Sequence, residues 1–194
     1  MGTTMLAGGY KVDIAVGMLP QKVASFGMEV LNDRVGAKFS PVAYLGSQVV
    51  NGVNHAILTV KTLVTNPPVK ALCVVVLNEK PGDGVKTDFT VVSIGDDILT
   101  YAAPGVVGGY AEPENFAATA VEAIDLWAKC EKPIGKNFDP KCILATQIVA
   151  GKNVVILAES KVVAPDARTG ADMLTLWSKI DGTVEVTDIK DIEF

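Results

Sequence analysis

The chain has 194 residues, a formal net charge of −5, and a composition that is 49% hydrophobic and 20% charged. That length suits one large domain or two small ones, and the composition is that of a globular protein with no low-complexity tract. The acidic balance and the lack of any basic run argue against a nucleic-acid backbone as partner, which needs a basic stripe. No run approaches the length of a membrane span, so no membrane partner is expected. Three scattered cysteines, Cys73, Cys130 and Cys142, form no CxxC pair and read as buried, reduced thiols, which fits a reducing compartment. With no secretory-type start, the expected location is cytoplasmic.

The first landmark is "AGGY", with the pair Gly8-Gly9 ahead of an aromatic. A helix is predicted over "LPQKVASFGMEVLNDR", with Val23, Phe26, Val30 and Leu31 on one face and Pro20 in the first turn. Gly27 in mid-helix costs about 1 kcal/mol against Ala, so something is expected to pack close there. Two strands then flank "NG": "FSPVAYLGSQVV" and "VNHAILTVKTLV" read as a hairpin turning at Asn51-Gly52, because both residues tolerate positive φ. "VKALCVVVLN" and "TDFTVVSI" follow as strands joined by "EKPGDGVK". That Gly-rich connection lacks the spacing and the Ser or Thr of a phosphate loop and is read as a hairpin turn.

Pro104 and Gly105 interrupt the pattern, and the sequence then repeats itself. "VGGY" carries Gly108-Gly109. A helix is predicted over "PENFAATAVEAIDLWAKC", with Ala117, Ala120, Val121, Ile124 and Trp127 or Ala128 on its apolar face. "DPKCILATQIVA" turns at Gly151 into "NVVILAESKVV". "DMLTLWSKI", a tight "DG" turn and "TVEVTDIKDI" complete the second half. Gly8 to Gly108 is a shift of 100, and Gln48 to Gln147 a shift of 99. Two domains are therefore expected, over 1–102 and 103–194, each α+β with one helix and a 4–5-stranded antiparallel sheet wrapped around it.

A Gly-Gly pair, one helix, then Gln-x-Val-x-Gly in the first long hairpin resembles the cystatin family, and the missing cysteine pairs make it similar to the stefin branch. The resemblance spans both halves, with the motif standing as Gln48-Val49-Val50-Asn51-Gly52 and again as Gln147-Ile148-Val149-Ala150-Gly151. It implies reversible, competitive inhibition of papain-like (cathepsin-type) cysteine proteases by a wedge that enters the active-site cleft. On that reading Gly8-Gly9 pass the protease's catalytic cysteine, and Gln48 to Gly52 form the first turn of the wedge. Pro81-Gly82 form the second turn. Gly108-Gly109 and Gln147 to Gly151 are the matching positions of the second half. Such a protein needs no catalytic residue, cofactor or metal of its own. Stefin-like folds also exchange their first hairpin between chains, so a domain-swapped dimer is implied as an option.

The second half departs from the family. Its last hairpin, "SKIDGTVE", has neither Pro-Gly nor the Pro-Trp of secreted members, Trp177 is expected to pack on the helix, and its Gly-Gly trunk is a linker. The first half is accordingly the expected inhibitor. The alternative is a non-inhibitory member of the fold, a binding or structural module. His55, the single histidine, has no placed nucleophile and no ligand cluster, so a surface or packing role is expected rather than catalysis or metal binding. Asn32-Asp33 reads as a helix-ending Asn. Some secreted members carry an Asn-Asp loop there that engages asparagine-specific, legumain-type proteases, and the second half has no equivalent.

Overall fold

The computed structural model describes residues 9–83 and 85–194. They form two α+β units, each with one helix packed against an antiparallel sheet. By compactness, residues 9–64, 72–98 and 194 group as one unit, and 65–71 with 99–193 as the other.

In the first sheet β1 (Lys11–Val16) precedes the helix, and β2 (Ala37–Val50), β3 (Gly52–Leu63), β4 (Lys70–Glu79) and β5 (Phe89–Ile94) follow it. The strand order is β1-β2-β3-β4-β5, and a two-residue β6 (Leu99–Thr100) pairs β4. β1 was not foreseen from the sequence pattern, which placed all the strands after the helix. The helix α1 has two parts, a π-helical segment Val23–Gly27 and an α-helical segment Met28–Asn32. Val23, Met28 and Leu31 are buried, with Phe26 and Val30 half-buried against the same core. Gly27 is where the sheet comes closest: a Cβ there would lie 2.9 Å from the Leu77 side chain and 3.2 Å from the Phe89 ring. The mid-helix glycine thus exchanges helix propensity for close packing.

The second unit contains α2 (Ala120–Lys129, entered through a 3-10 turn at Ala117–Thr119), β7 (Lys136–Val149), β8 (Gly151–Val162), β9 (Thr169–Ser178) and β10 (Val184–Asp191). Its sheet has the order β10-β9-β8-β7. The core joins Ala123, Trp127 and Cys130 of the helix region to Ile143, Val154, Ile156, Leu174 and Leu176. The predicted apolar face of this helix is corrected here. Val121 and Ile124 are exposed, as are Ala117 and Ala128. The segment is apolar on two sides, and periodicity does not say which one the sheet covers. The small side chain of Ala123 lets the helix seat closely, and Trp127 fills the space beside Phe138, with ring centroids 5.6 Å apart.

The two units repeat each other in register. The β2–β3 pairing shifts between Pro41 and Ala43 and between Tyr44 and Gly46. The β7–β8 pairing shifts between Pro140 and Cys142 and between Ile143 and Ala145, each position 99 residues on. The Val64 N–H donates to the Gly36 carbonyl at 3.0 Å and the Val163 N–H to the Gly135 carbonyl at 2.9 Å, again 99 apart.

The shift of 100 ahead of the helix has a local cause. Val23 and Ala123 are buried counterparts 100 apart, whereas Met28 and Trp127, and Leu31 and Cys130, are 99 apart. The extra residue of the first unit therefore falls between Val23 and Met28. There the Met28 N–H reaches back five residues to the Val23 carbonyl. A π turn absorbs one added residue while keeping the residues on both sides in the core.

A second difference lies at Gly46, whose φ of +155° and missing Cβ admit β1: a Cβ there would overlap the Lys11 carbonyl oxygen. The equivalent residue is Ala145, and the second unit has only an isolated bridge, Ala111 to Thr146, where the first has a strand. Ala145 carries a methyl group where Gly46 has none, and Pro113, two residues past the bridge, has no N–H for a ladder.

The three cysteines are buried and unpaired. Burial raises the thiol of each, that of Cys142 to about 12, so none is poised as a nucleophile. Among the described residues no helix is long and apolar enough to cross a membrane.

Candidate functional site

The candidate site is built where two turns meet. β2 and β3 pair out to Val50 opposite Gly52, leaving Asn51 alone at the apex. Gly52 has φ +100°, and a Cβ on it would overlap the Glu79 carbonyl oxygen and lie 3.1 Å from the Lys80 Cα. Glycine is required twice over, for the left-handed backbone and for the backbone of the next turn pressed against it. Pro81 and Gly82 follow immediately, so the two turns lie side by side. The second turn is closed by the Lys80 N–H donating to the Asp88 carbonyl at 2.9 Å, and the Val85 N–H donates to the Asp88 carboxylate at 2.9 Å.

The second unit repeats this arrangement. Val149 pairs Gly151, leaving Ala150 at the apex. Gly151 has φ +101°, and a Cβ there would overlap the Ser178 carbonyl oxygen and lie 3.2 Å from the Lys179 Cα. Glu79-Lys80 and Ser178-Lys179 are 99 apart, as are the two glycines.

The glutamines of the motif are braced across the hairpin. Asn54 Nδ2 donates to Gln48 Oε1 at 3.0 Å, and Asn153 Nδ2 donates to Gln147 Oε1 at 2.8 Å. In the first unit Asn78 Nδ2 extends the chain to Asn54 Oδ1 at 2.9 Å. In the second, Gln147 Nε2 donates to the Gly108 carbonyl at 2.7 Å, which fixes the Gly-Gly trunk beside the hairpin. The bridge behind it has the Ala111 N–H on the Thr146 carbonyl at 2.7 Å and its return bond at 3.1 Å. Gly8 lies outside the described residues. Gly9 leads into β1, whose Lys11 pairs Ser47 next to Gln48.

Beyond the braced glutamines the tips are apolar and open. Val49 and Val50 are 62% and 44% exposed, and Ile148 and Val149 are 69% and 41% exposed. The expected place of Trp177 is corrected. It lies on the face of β9 opposite Leu174 and Leu176, the residues that meet the helix, and its indole N–H donates to the Ala150 carbonyl at 3.0 Å. The side-chain alternation of a strand decides this, since one residue's displacement turns a side chain to the other face. Lys179 stacks over the indole at 4.9 Å. The second unit therefore has an aromatic at its tip although it lacks Pro-Gly in its second turn.

His55 has a packing role below the first tip. Its Nδ1 is 2.9 Å from the Tyr44 hydroxyl and its Nε2 is 3.2 Å from the Glu79 carboxylate, which Lys22 also meets at 3.3 Å. Burial lowers the imidazole from its ordinary value, against an opposing pull from Glu79. Burial likewise raises the Tyr44 phenol. Asn32 is occupied structurally: its Nδ2 donates to the Met28 and Phe39 carbonyls at 3.1 and 3.0 Å, and its Oδ1 accepts from the Phe39 N–H at 2.8 Å. This joins the end of α1 to the start of β2.

Several of these residues escaped the sequence reading. Asn54 and Asn153 each stand six residues after the motif glutamine, a recurrence that could have flagged them. Gly46, Asn78 and Glu79 have no counterpart of the same type in the second half and carried no such signal. Among the described residues no group of His, Cys and carboxylates is placed to hold a metal ion. Compared with family models and with curated proteins, the chain matches none.

Proposed function

We propose that the protein is a reversible, competitive inhibitor of papain-like cysteine proteases, of the cystatin type. It enters the cleft with a hairpin tip and the neighbouring Gly-Gly trunk, and the first unit leads. The observation that carries this reading is the pair of exposed valines, Val49 and Val50, on a tip whose shape is held from behind by Gly52 against Glu79-Lys80. A wedge held rigid before binding loses little conformational freedom on docking, so modest apolar area is enough for tight association. The backbone at the glycines can approach a catalytic thiolate closely without presenting a side chain.

The second unit shares the braced glutamine, the exposed Ile148 and Val149, and the turn-on-turn packing, and adds Trp177. Its inhibition is proposed as weaker, because its second turn has no proline.

Titration of papain with the whole chain tests the reading. Competitive, reversible inhibition at or below micromolar concentration is expected. It should be weakened strongly by Val50→Asp and less by Val149→Asp. Absence of inhibition at micromolar concentration overturns the reading in favour of a non-inhibitory binding module.

A further inference from the structure

The two tips are held from behind by different chemistry. Behind the first lie His55 of β3, Tyr44 of β2 and Glu79 of β4, and Glu79 is the residue whose carbonyl Gly52 abuts. The 99-residue counterparts in the second unit are Val154, Ile143 and Ser178. There the apex is held instead by the Trp177 indole on the Ala150 carbonyl. His55 is the chain's single histidine.

We propose that the first tip carries an acid-sensitive clasp, and that protonation of His55 loosens the packing of its two turns while the second tip is unaffected. The buried neutral imidazole can accept the Tyr44 O–H at Nδ1 and donate Nε2–H to Glu79. Protonation puts a hydrogen on Nδ1. The Tyr44 hydroxyl then loses its acceptor and must turn its own hydrogen elsewhere, toward Ser47 or solvent at this half-buried position. The His55–Glu79 contact gains charge, but only by burying an imidazolium whose ring is nearly out of solvent.

The other groups around this clasp are Lys22 at the head of the helix, which shares Glu79, Asp13 of β1, which acts on Tyr44, and Tyr10, which reaches Tyr44 and Asn54. The first competes for Glu79 and so weakens its hold on a protonated imidazole. Around the second tip the charged groups include Lys152 with Glu122, Lys179 with Glu185, and Asp181, whose carboxyl is held below its ordinary value by hydrogen bonds from Thr183, with no imidazole among them.

The sign follows from linkage. A histidine whose value is lowered in the closed state is bound by more protons when the clasp is open. Closure is therefore fully favoured above the ordinary imidazole value of about 6.5 and weakens as pH falls through the lowered value. This step rests on the packing around His55 alone; its effect on inhibition, an acid-weakened first wedge beside an acid-tolerant second one, rests on the inhibitory reading above.

The test uses the whole chain and no protease, so its outcome is independent of whether the protein inhibits. The one imidazole is titrated by NMR, and amide exchange is followed at 49–54 and 148–153 from pH 7.5 to 5, corrected for intrinsic rates. Expected are a His55 midpoint below about 6.5 and, across it, a loss of protection of about tenfold or more at the first tip with none at the second. His55→Gln should abolish the difference. Unchanged or increased protection at the first tip, equal loosening at both tips, or a pH response that survives His55→Gln overturns the proposal. If the variant does not fold, the comparison of the two tips within the native chain still decides.

Discussion

At the scale of single residues the tips rest on glycine. Gly52 and Gly151 combine left-handed backbone with a carbonyl oxygen where a Cβ would stand. Gly52→Val should cost about 2–3 kcal/mol of stability through strain and displacement of the second turn. Urea unfolding monitored on the first unit checks this, and inhibition by that unit should fall with it. The asparagines behave differently. Among the described residues Asn54 joins Gln48 to Asn78, whereas the Asn153 amide meets Gln147. Asn54→Ala should therefore destabilise its unit more than Asn153→Ala does, by about 1 kcal/mol, because it also strands the buried Asn78 amide. Urea midpoints of the two variants settle the order. The turn glycines Gly52 and Gly151 were legible in the sequence because turn chemistry is local. The role of Trp177 was not, because the face to which a strand residue points depends on register with a neighbour far along the chain.

At the scale of elements, the helices show what a pattern can and cannot specify. The first helix has enough bulky residues at the right spacing that its face was read nearly correctly, and Gly27 was rightly expected to mark a close approach. The second is apolar on two sides, and the side bearing Ala123 and Trp127 faces the core. The extra residue of the first unit was visible as a change of shift from 100 to 99, but only the π turn places it between Val23 and Met28. Deleting Ser25, an exposed residue of that turn, should therefore give a folded protein with a regular α-helix, losing at most about 1 kcal/mol. Deleting Asp125, at a comparable exposed place in α2, should rotate Trp127 and Cys130 away from the core and cost about 3–5 kcal/mol, as loss of a buried tryptophan does. Circular dichroism with denaturant titration distinguishes the two deletions. In the four-stranded second sheet Ala145 stands where Gly46 admits β1, and Pro113 follows the single bridge.

At the scale of the whole molecule, the hydrophobic clusters packed against the two helices have no residue in common among the described residues. Leu174→Ala, at a fully buried position, should destabilise the second unit by about 2–5 kcal/mol. Amide exchange at Leu31, Ile57 and Val75 of the first core should stay unchanged. Equal loss of protection in both cores would contradict this separation. By itself the sequence determined two α+β units, the places of their helices and long hairpins, and the turn residues, because periodicity, glycine conformation and an internal repeat act over short stretches of chain. Only the tertiary structure decided which helix face is buried, that one tip is braced by a histidine and a carboxylate and the other by an indole, and why one sheet gains a strand. Each of those depends on what lies across a packed interface, where a single methyl group or a one-residue change of register selects among arrangements that the local pattern leaves equal.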